Sequence, residues 1–391
     1  MSLMVEYISK RLSGKQLHEE LEKLVGQYNA MQNTYLMIYA SATSKNVPGM
    51  SINMEDYYTI VDLLRKTNSK KLDFYIETPG GSGTAAEDIV TFLRHKFDYV
   101  NFVISGEAKS AGTIIALSGN DISMTETGSL GPIDAQVVIG RSNQSAYDYI
   151  EWIDEKRGEA AKNGGLNPFD ATMVAQISPG ELKGVGNALN FAQDLVVDWL
   201  CKYKFKDWTK TKTRGNPVTE ECRKQRAREI ARDLLNHSKW RTHGRSLKYN
   251  DLTEIGLQIA KIDDNPDLAE LVYRIQTVIR LLFDSTTTFK LFVTADNVIA
   301  KQAVPTDQMK KGATLDVGAI AEIGVQCQKC GKQYEFYVKF EDVPGVDEQM
   351  KEKGISRLPN NNKVLCDCGF ETDLTGPISE LEVQAGKVII R

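Results

Sequence analysis

Segments with the character of strands and helices alternate along the first third of the chain. β-Prone apolar runs occupy residues 34–40, 72–76 and 102–105, and segments of helical character lie between them at residues 55–66 and 84–96. Units that alternate in this way need crossover connections, which place their strands side by side in a parallel sheet. The sequence therefore predicts an α/β domain with a parallel core sheet.

The second of these strands runs directly into a glycine-rich turn. Glu77 is followed by the residues Thr-Pro-Gly-Gly-Ser-Gly. Paired glycines allow the backbone to approach a ligand closely and to present its N–H groups as donors. The alternative is an ordinary glycine-rich connection to the next helix.

The third strand leads to a turn in which Ser110 opens a short apolar helix, residues 111–117. A serine in this position lies beside unpaired backbone N–H groups and the positive end of the helix dipole. That environment favours a nucleophile whose attack creates an oxyanion. The same position is typical of a serine that only caps a helix, and the sequence leaves both interpretations open.

Four motifs then follow one another in a specific order. They are Thr78-Pro79-Gly80-Gly81, Ser110-Ala111-Gly112-Thr113, Leu130-Gly131-Pro132-Ile133-Asp134 with Gln136, and Thr242-His243-Gly244-Arg245 followed by Ile255-Gly256-Leu257. This series resembles the ClpP/crotonase fold in its peptidase form, and most closely the serine dehydrogenase proteinase family, relatives of the signal peptide peptidase SppA. Glu77 departs from that family, which often has histidine there.

The resemblance implies a ClpP/crotonase-like fold with repeated β-β-α units and a serine peptidase activity. Ser110 would form the acyl-enzyme, and the backbone N–H groups of Gly81 and Ala111 would hold the oxyanion. Two other functions stay open on this fold. One is a crotonase-like acyl-thioester enzyme, which would not need Ser110, and the other is a non-catalytic oligomeric adaptor.

A serine nucleophile needs a base within hydrogen-bond reach, yet the chain has no histidine between His95 and His237. A lysine can serve instead where burial or positive neighbours lower its pKa. SppA-like enzymes use a Ser/Lys dyad, and their pattern resembles Lys162 followed by Pro168-Phe169 and Ser178-Pro179. The alternative bases are Lys156, Lys183 and His243.

Four of the six cysteines form two close pairs, Cys327-x-x-Cys330 and Cys366-x-Cys368, each followed by glycine. Without an export signal, disulfides are disfavoured, and two such thiol pairs predict a tetrahedral zinc site. Four cysteine ligands leave no open position on the metal, so the zinc would be structural. We expect a zinc-ribbon-like domain in which Tyr334–Phe340 is a strand.

Chain length and composition favour two domains. The chain has 391 residues, of which 41% are hydrophobic and 26% charged, as in ordinary globular proteins. The polar run Asp284–Thr288 is a plausible boundary. We therefore predict a peptidase domain over residues 1–285 and the zinc-ribbon-like domain over residues 286–391.

Charge and hydropathy limit the partners and the location. The net charge of −4 gives no electrostatic reason to expect nucleic acid as a partner. No apolar run approaches the roughly 20 residues that span a bilayer, and the N-terminus lacks the apolar core of a signal peptide. We expect a cytoplasmic protein that acts on polypeptides, and the resemblance implies a homo-oligomer.

Overall fold

The computed structural model divides the chain into two compact units, residues 1–303 and residues 304–391. The structure describes residues 2–133, 135–139, 142–211, 214–303, 320–327, 329–342, 344–375, 377–378, 381–382 and 388–390.

Helices of the first unit connect and cover its strands. They are α1 (Leu3–Ser9), α2 (Gly14–Gln32), α3 (Met54–Leu64), α4 (Gly83–Lys96), α5 (Ala111–Ala116), α6 (Ala146–Asn163), α7 (Pro168–Ala175), α8 (Pro179–Trp199), α9 (Glu220–Leu235), α10 (His237–Trp240), α11 (Tyr249–Glu254) and α12 (Pro266–Ser285), with a π-helical turn at Leu200–Lys204 and a 3-10 turn at Ile262–Asp264. Among the helices that the structure describes, none has both the length and the apolar character needed to cross a membrane.

The strands of the first unit include three that match the predicted segments closely. They are β1 (Tyr35–Ser41), β2 (Lys71–Glu77), β3 (Tyr99–Ile104), β4 (Glu107–Ala108), β5 (Asp121–Met124), β6 (Ser129–Leu130), β7 (Gln136–Ile139), β8 (Ser142–Ser145), β9 (Ala260–Lys261), β10 (Thr288–Val293) and β11 (Val298–Gln302).

Seven strands form the central sheet in the order β11-β10-β1-β2-β3-β5-β9. The run from β1 to β9 is parallel, whereas β10 and β11 form an antiparallel edge. The predicted α/β class with a parallel core sheet is confirmed. Strands β10 and β11 follow the boundary predicted after residue 285, and the first unit continues to Ala303.

Apolar side chains fill both faces of the sheet, as expected for parallel strands connected by helices. On one face, Phe74 and Phe102 pack in a core with residues of α3, α4, α5, α8 and α9. On the other face, Tyr75 and Val103 pack with residues of α2 and α12. Because neighbouring residues of a strand point to opposite faces, β2 and β3 each serve both cores.

The helical segment that follows residue 145 breaks where glycine and proline occur in the sequence. Helix α6 ends at Asn163, and Gly164 follows it with a left-handed φ of 72°. Helix α8 begins at Pro179, and the hydroxyl of Ser178 accepts the N–H of Glu181 as its N-cap. Local capping chemistry therefore sets the ends of both helices.

The second unit contains two small sheets. Its elements are β12 (Ile320–Gln326), β13 (Gln333–Lys339), α13 (Val346–Glu352), β14 (Ser356–Arg357), β15 (Lys363–Leu365) and β16 (Glu371–Asp373). Strands β12 and β13 form an antiparallel hairpin that β14 extends, and β15 and β16 form a second hairpin. The strand predicted at Tyr334–Phe340 corresponds to β13 and is confirmed.

Candidate active site and candidate metal site

The glycine-rich turn after β2 is fixed by Ile52. The N–H of Ile52 donates to the carbonyl of Gly80 at 2.8 Å, and the N–H of Ser82 donates to the carbonyl of Ile52 at 2.9 Å. Gly80 and Gly81 have φ values of 101° and 148°. A Cβ atom on Gly81 would lie 2.5 Å from the backbone of Ile52, so this position requires glycine.

The turn that carries Ser110 is attached to the end of β2 by backbone hydrogen bonds. The N–H of Thr78 donates to the carbonyl of Glu107 at 2.8 Å, and the N–H of Lys109 donates to the carbonyl of Thr78 at 3.0 Å. A Cβ atom on Gly112 would lie 2.4 Å from Cγ2 of Thr78, so glycine allows α5 to pack closely there. The two turns that the sequence singled out therefore form one structural unit.

Ser110 has a strained backbone, with φ 49° and ψ −118°. Such a conformation costs a non-glycine residue about 1–3 kcal/mol and is concentrated at functional sites. The Ser110 side chain makes no capping hydrogen bond to α5. Ser110 therefore occupies the N-cap position of α5, but its hydroxyl does not cap the helix.

Gly81 and Ala111 line the same cavity as Ser110. Among the described residues, neither the N–H of Gly81 nor that of Ala111 has a hydrogen-bond acceptor. Ala111 is the first residue of α5, where helical N–H groups have no partner within the helix. Two unpaired donors beside a serine hydroxyl have the composition of an oxyanion hole.

The cavity over Ser110 has a volume of about 480 Å³. The two turns form part of its wall, and α8 contributes the side chain of Phe191. Its other lining side chains include Ser51, Ile114, Ile133, Gln136 and His243. Asp134, which belongs to the third motif, lies outside the described residues.

The lysines considered as bases do not line this cavity. Lys162 is exposed on the last turn of α6, and Lys183 is exposed on α8. The ammonium of Lys156 lies 2.9 Å from Asp170 and 3.0 Å from Glu159. Hydrogen bonds to these carboxylates raise the pKa of Lys156, which is opposite to what a base needs.

Of the candidate bases, His243 is the one that lies in the cavity with Ser110. It belongs to a loop, residues 241–247, which is followed by α11. The side chain is half-buried. The geometry therefore joins the second and fourth motifs at one site.

Sequence reasoning missed a buried lysine directly before Ser110. Lys109 is 6% exposed. Its ammonium donates to the carbonyl of Arg245 at 3.0 Å, to the hydroxyl of Ser246 at 2.8 Å and to the carbonyl of Leu130 at 3.4 Å. Burial lowers the pKa of Lys109 to about 8. The only signal in the sequence was a charged residue between the apolar Ala108 and the buried helix.

Four cysteines come together in the second unit. The sulfur atoms of Cys327, Cys330, Cys366 and Cys368 all lie within 4.8 Å of one another. The distance is 3.6 Å between Cys327 and Cys368, and 3.5 Å between Cys330 and Cys366. Tetrahedral bonds of about 2.3 Å to a zinc ion would place thiolates about 3.8 Å apart, so this donor set fits such an ion.

Each cysteine pair lies in the turn of a β-hairpin, the first between β12 and β13 and the second between β15 and β16. The glycines that follow, Gly331 and Gly369, have φ values of 77° and 78°. Their N–H groups donate to the carbonyls of Cys327 at 2.9 Å and Cys366 at 2.8 Å. Because a left-handed φ favours glycine, these two turns explain the glycine after each pair.

Comparison with protein families matches residues 46–218 to one family, described as ClpP-like SDH-type serine proteinases. The matched segment, 173 of the 391 residues, is similar to that family. The resemblance stated from the motifs is thereby confirmed. The SDH-type segment contains Gly81, Ser110 and Lys162, whereas His243 follows it.

Two curated relatives come from Methanocaldococcus jannaschii, and both are uncharacterized proteins. MJ0137 is 28% identical over 189 residues, which are 47% of this chain and 60% of the relative. MJ1495 is 26% identical over 210 residues, which are 53% of this chain and 59% of the relative. The chain thus spans about 60% of the length of these relatives.

Two solved structures are similar to the chain at low scores. Both are mutants of the 1510-N membrane-bound stomatin-specific protease, one of them in complex with a substrate peptide. They are 14% and 15% identical, and each alignment covers 56% of this chain. The alignments cover 79% and 74% of those chains, with a TM-score of 0.33 in both. The family assignment of the SDH-type segment therefore rests on the sequence match.

Proposed function

We propose that the first unit is a serine peptidase that forms its acyl-enzyme on Ser110. The observation that carries this proposal is the position of Ser110, on a strained turn in a cavity that is also lined by Gly81 and Ala111, two residues whose N–H groups are unpaired. The similarity of the SDH-type segment to a proteinase family supports peptide hydrolysis as the reaction class.

In this proposal the Ser110 oxygen attacks the carbonyl carbon of the scissile peptide bond. The carbonyl oxygen becomes an oxyanion, which the N–H groups of Gly81 and Ala111 stabilise. A base accepts the proton of Ser110 and returns it to the departing amine, and water then hydrolyses the acyl-enzyme. Rigid glycine turns suit this chemistry because the donors need no rearrangement during the reaction.

We place His243 first among the candidate bases because it lines the cavity. Histidine is also the side chain that most often serves as a general base in enzymes. The Ser110/Lys162 dyad implied by the resemblance is the alternative. It requires the turn at Asn163–Gly165 to bring Lys162 from its exposed position into the cavity and to bury its amine.

For the second unit we propose a zinc ribbon held by Cys327, Cys330, Cys366 and Cys368. The fit of the four sulfur atoms to tetrahedral coordination supports it. The ion would join the two hairpins and supply folding free energy to a small unit, and four thiolates leave no position for a substrate. The zinc therefore has a structural role in this proposal.

Polypeptide substrates, a homo-oligomeric state and a cytoplasmic location stay predictions. The substrates follow from the proposed peptidase activity, and the oligomer follows from the resemblance. Light scattering at micromolar concentration checks the oligomer, and a monomeric mass would contradict it.

Hydrolysis of an unfolded protein such as reduced casein tests the proposed activity. We expect turnover by the unaltered chain and a loss of several orders of magnitude in Ser110→Ala. Ser51→Ala is the matched control, because Ser51 is an exposed serine that lines the same cavity. Equal turnover in Ser110→Ala and the unaltered chain would refute the proposal.

A further inference from the structure

The His243 loop, residues 241–247, is attached to the strand that precedes Gly131. The N–H of Leu247 donates to the carbonyl of Leu130 at 2.9 Å, and the N–H of Leu130 donates back to the carbonyl of Leu247 at 3.1 Å. Within the loop, the N–H of Arg245 donates to the carbonyl of Thr242 at 3.1 Å. These bonds fix the end of the loop but do not connect it to the nucleophile.

Lys109 makes that connection. Its backbone belongs to the Ser110 turn, where its N–H bonds to Thr78 and its carbonyl accepts the N–H of Gly112 at 2.8 Å. Its side chain reaches the loop instead, where the ammonium donates to Arg245 and Ser246. One residue therefore joins the backbone around Ser110 to the loop that carries His243.

The environment of Lys109 makes this connection strong. Hydrogen bonds from a charged donor are roughly twice as strong as neutral ones, and Lys109 is 6% exposed, which limits competition from water. Its nearest carboxylate, Glu107, lies 4.0 Å away and is about one third exposed. The loop acceptors, rather than an ion pair, are therefore the close partners of the ammonium.

We propose that Lys109 is a positioning residue that holds the His243 loop against the Ser110 turn. The proposal rests on the function proposed for Ser110, because it assigns Lys109 the role of fixing the position of the His243 loop relative to Ser110. Lys109 itself is not among the residues that line the cavity.

Lys248 provides a matched control on the same side of the molecule. Its ammonium donates to the carbonyls of Thr127 at 2.6 Å and Gly128 at 3.1 Å. It thus also ties the chain next to the loop to a neighbouring turn. Unlike Lys109, however, it is exposed and is not part of the Ser110 turn.

The test compares Lys109→Met, Lys109→Arg and Lys248→Met in the full-length chain. Hydrogen exchange is measured at the amides of Arg245 and Leu247, and peptide hydrolysis gives kcat and KM. For Lys109→Met we expect exchange at least tenfold faster at both amides, and kcat lowered at least tenfold with KM within threefold. Lys109→Arg keeps a charged donor, so its exchange rates and its kcat should lie between those of Lys109→Met and those of the unaltered chain. Lys248→Met should keep kcat within threefold of the unaltered chain.

Two results would overturn the proposal. One is unchanged exchange in the loop of a folded Lys109→Met variant, and the other is a kcat in that variant equal to that of Lys248→Met. If Lys109→Met does not fold, Lys109→Arg tests the proposal instead. A positioning role predicts that this variant has faster exchange in the loop together with a lower kcat, and unchanged values of both would overturn it. If the unaltered chain hydrolyses no peptide, the proposed function fails, while the exchange measurement still decides whether Lys109 holds the loop.

Discussion

A Cβ atom placed on Gly80 would lie 2.7 Å from the Cβ of Ser110 and 2.9 Å from the carbonyl oxygen of Lys109. The glycine-rich turn and the Ser110 turn are therefore in close contact, and no larger residue fits at Gly80 without moving Ser110. The absence of a side chain at this position is part of the candidate active site.

Gly80→Ala is therefore expected to lower peptide hydrolysis at least tenfold, because the added methyl group displaces Ser110. Gly49→Ala is the control, since Gly49 also has a positive φ of 81° but meets no atom closer than 3.9 Å. Both variants should lose about 1–2 kcal/mol of stability from backbone strain. Full activity in a folded Gly80→Ala variant would show that activity does not require the close approach of Gly80 to Ser110.

The base is identified by comparing His243→Ala, Lys162→Ala and Lys156→Ala. We expect His243→Ala to lower kcat by about 10²–10⁴-fold, the range typical of a general base, because it lines the cavity with Ser110. Lys156→Ala should keep near-normal kcat, since its ammonium is bound to Asp170 and Glu159. Steady-state kinetics with circular dichroism as a folding check makes the comparison. Loss of activity in Lys162→Ala alone would instead assign the Ser/Lys dyad.

One zinc ion per chain is expected in protein purified without chelator. Cys327→Ser and Cys368→Ser should each lose the metal, because a tetrahedral thiolate site tolerates the loss of a ligand poorly. Cys222→Ser should keep it, since Cys222 is exposed in α9 of the first unit. Elemental analysis by mass spectrometry measures this. If the unaltered protein contains no metal, the assignment of the four cysteines as zinc ligands is refuted.

Glu77 gives a prediction for the pH dependence of stability. Its carboxyl is 0% exposed, and burial raises its pKa from 4.5 to about 7 despite the neighbouring Arg280. Because the folded state holds this proton more tightly than the unfolded chain, the stability from Glu77 is fully present below pH 4.5 and is lost as the pH rises through 7.

The expected loss is about 3 kcal/mol at 1.36 kcal/mol for each pKa unit. Glu77→Gln, which mimics the protonated acid, should therefore gain stability relative to the unaltered chain as the pH rises across this range. Urea unfolding at several pH values measures the difference, and Glu254→Gln, which removes an exposed carboxylate, is the control. If the difference in free energy of unfolding between Glu77→Gln and the unaltered chain does not change with pH, the raised pKa of Glu77 is contradicted.

Local patterns were sufficient to predict the elements that carry the candidate site. The strands before Gly80 and Ser110, and the helices after them, follow from apolar runs that end at glycine or serine, and these signals act within a few residues. The cysteine cluster was equally accessible, because two short spacings with glycine determine both turns. The sequence did not show that Ser110 has a positive φ. That conformation depends on the contacts of Thr78 with β4 and α5.

Long-range contacts explain what was missed. Lys109 looks like a solvated charge in sequence, and its acceptor on Arg245 lies 136 residues later. Strand β10 begins in a threonine-rich run typical of a linker, and it joins the sheet by pairing with β1, about 250 residues earlier in the chain, while β11 pairs with β10. The loop that carries His243 likewise depends on a long-range contact, the pairing of Leu247 with Leu130.

Labelling with a fluorophosphonate probe shows directly whether Ser110 is the nucleophile, because the probe reacts with an activated serine whichever residue is the base. We predict that intact-mass and peptide mass spectrometry of the full-length chain find one adduct per chain, on Ser110, and none in Ser110→Ala. Ser51→Ala should be labelled at the rate of the unaltered chain. Labelling that persists in Ser110→Ala, or an adduct on another serine in the unaltered chain, would contradict the assignment of Ser110 as the nucleophile.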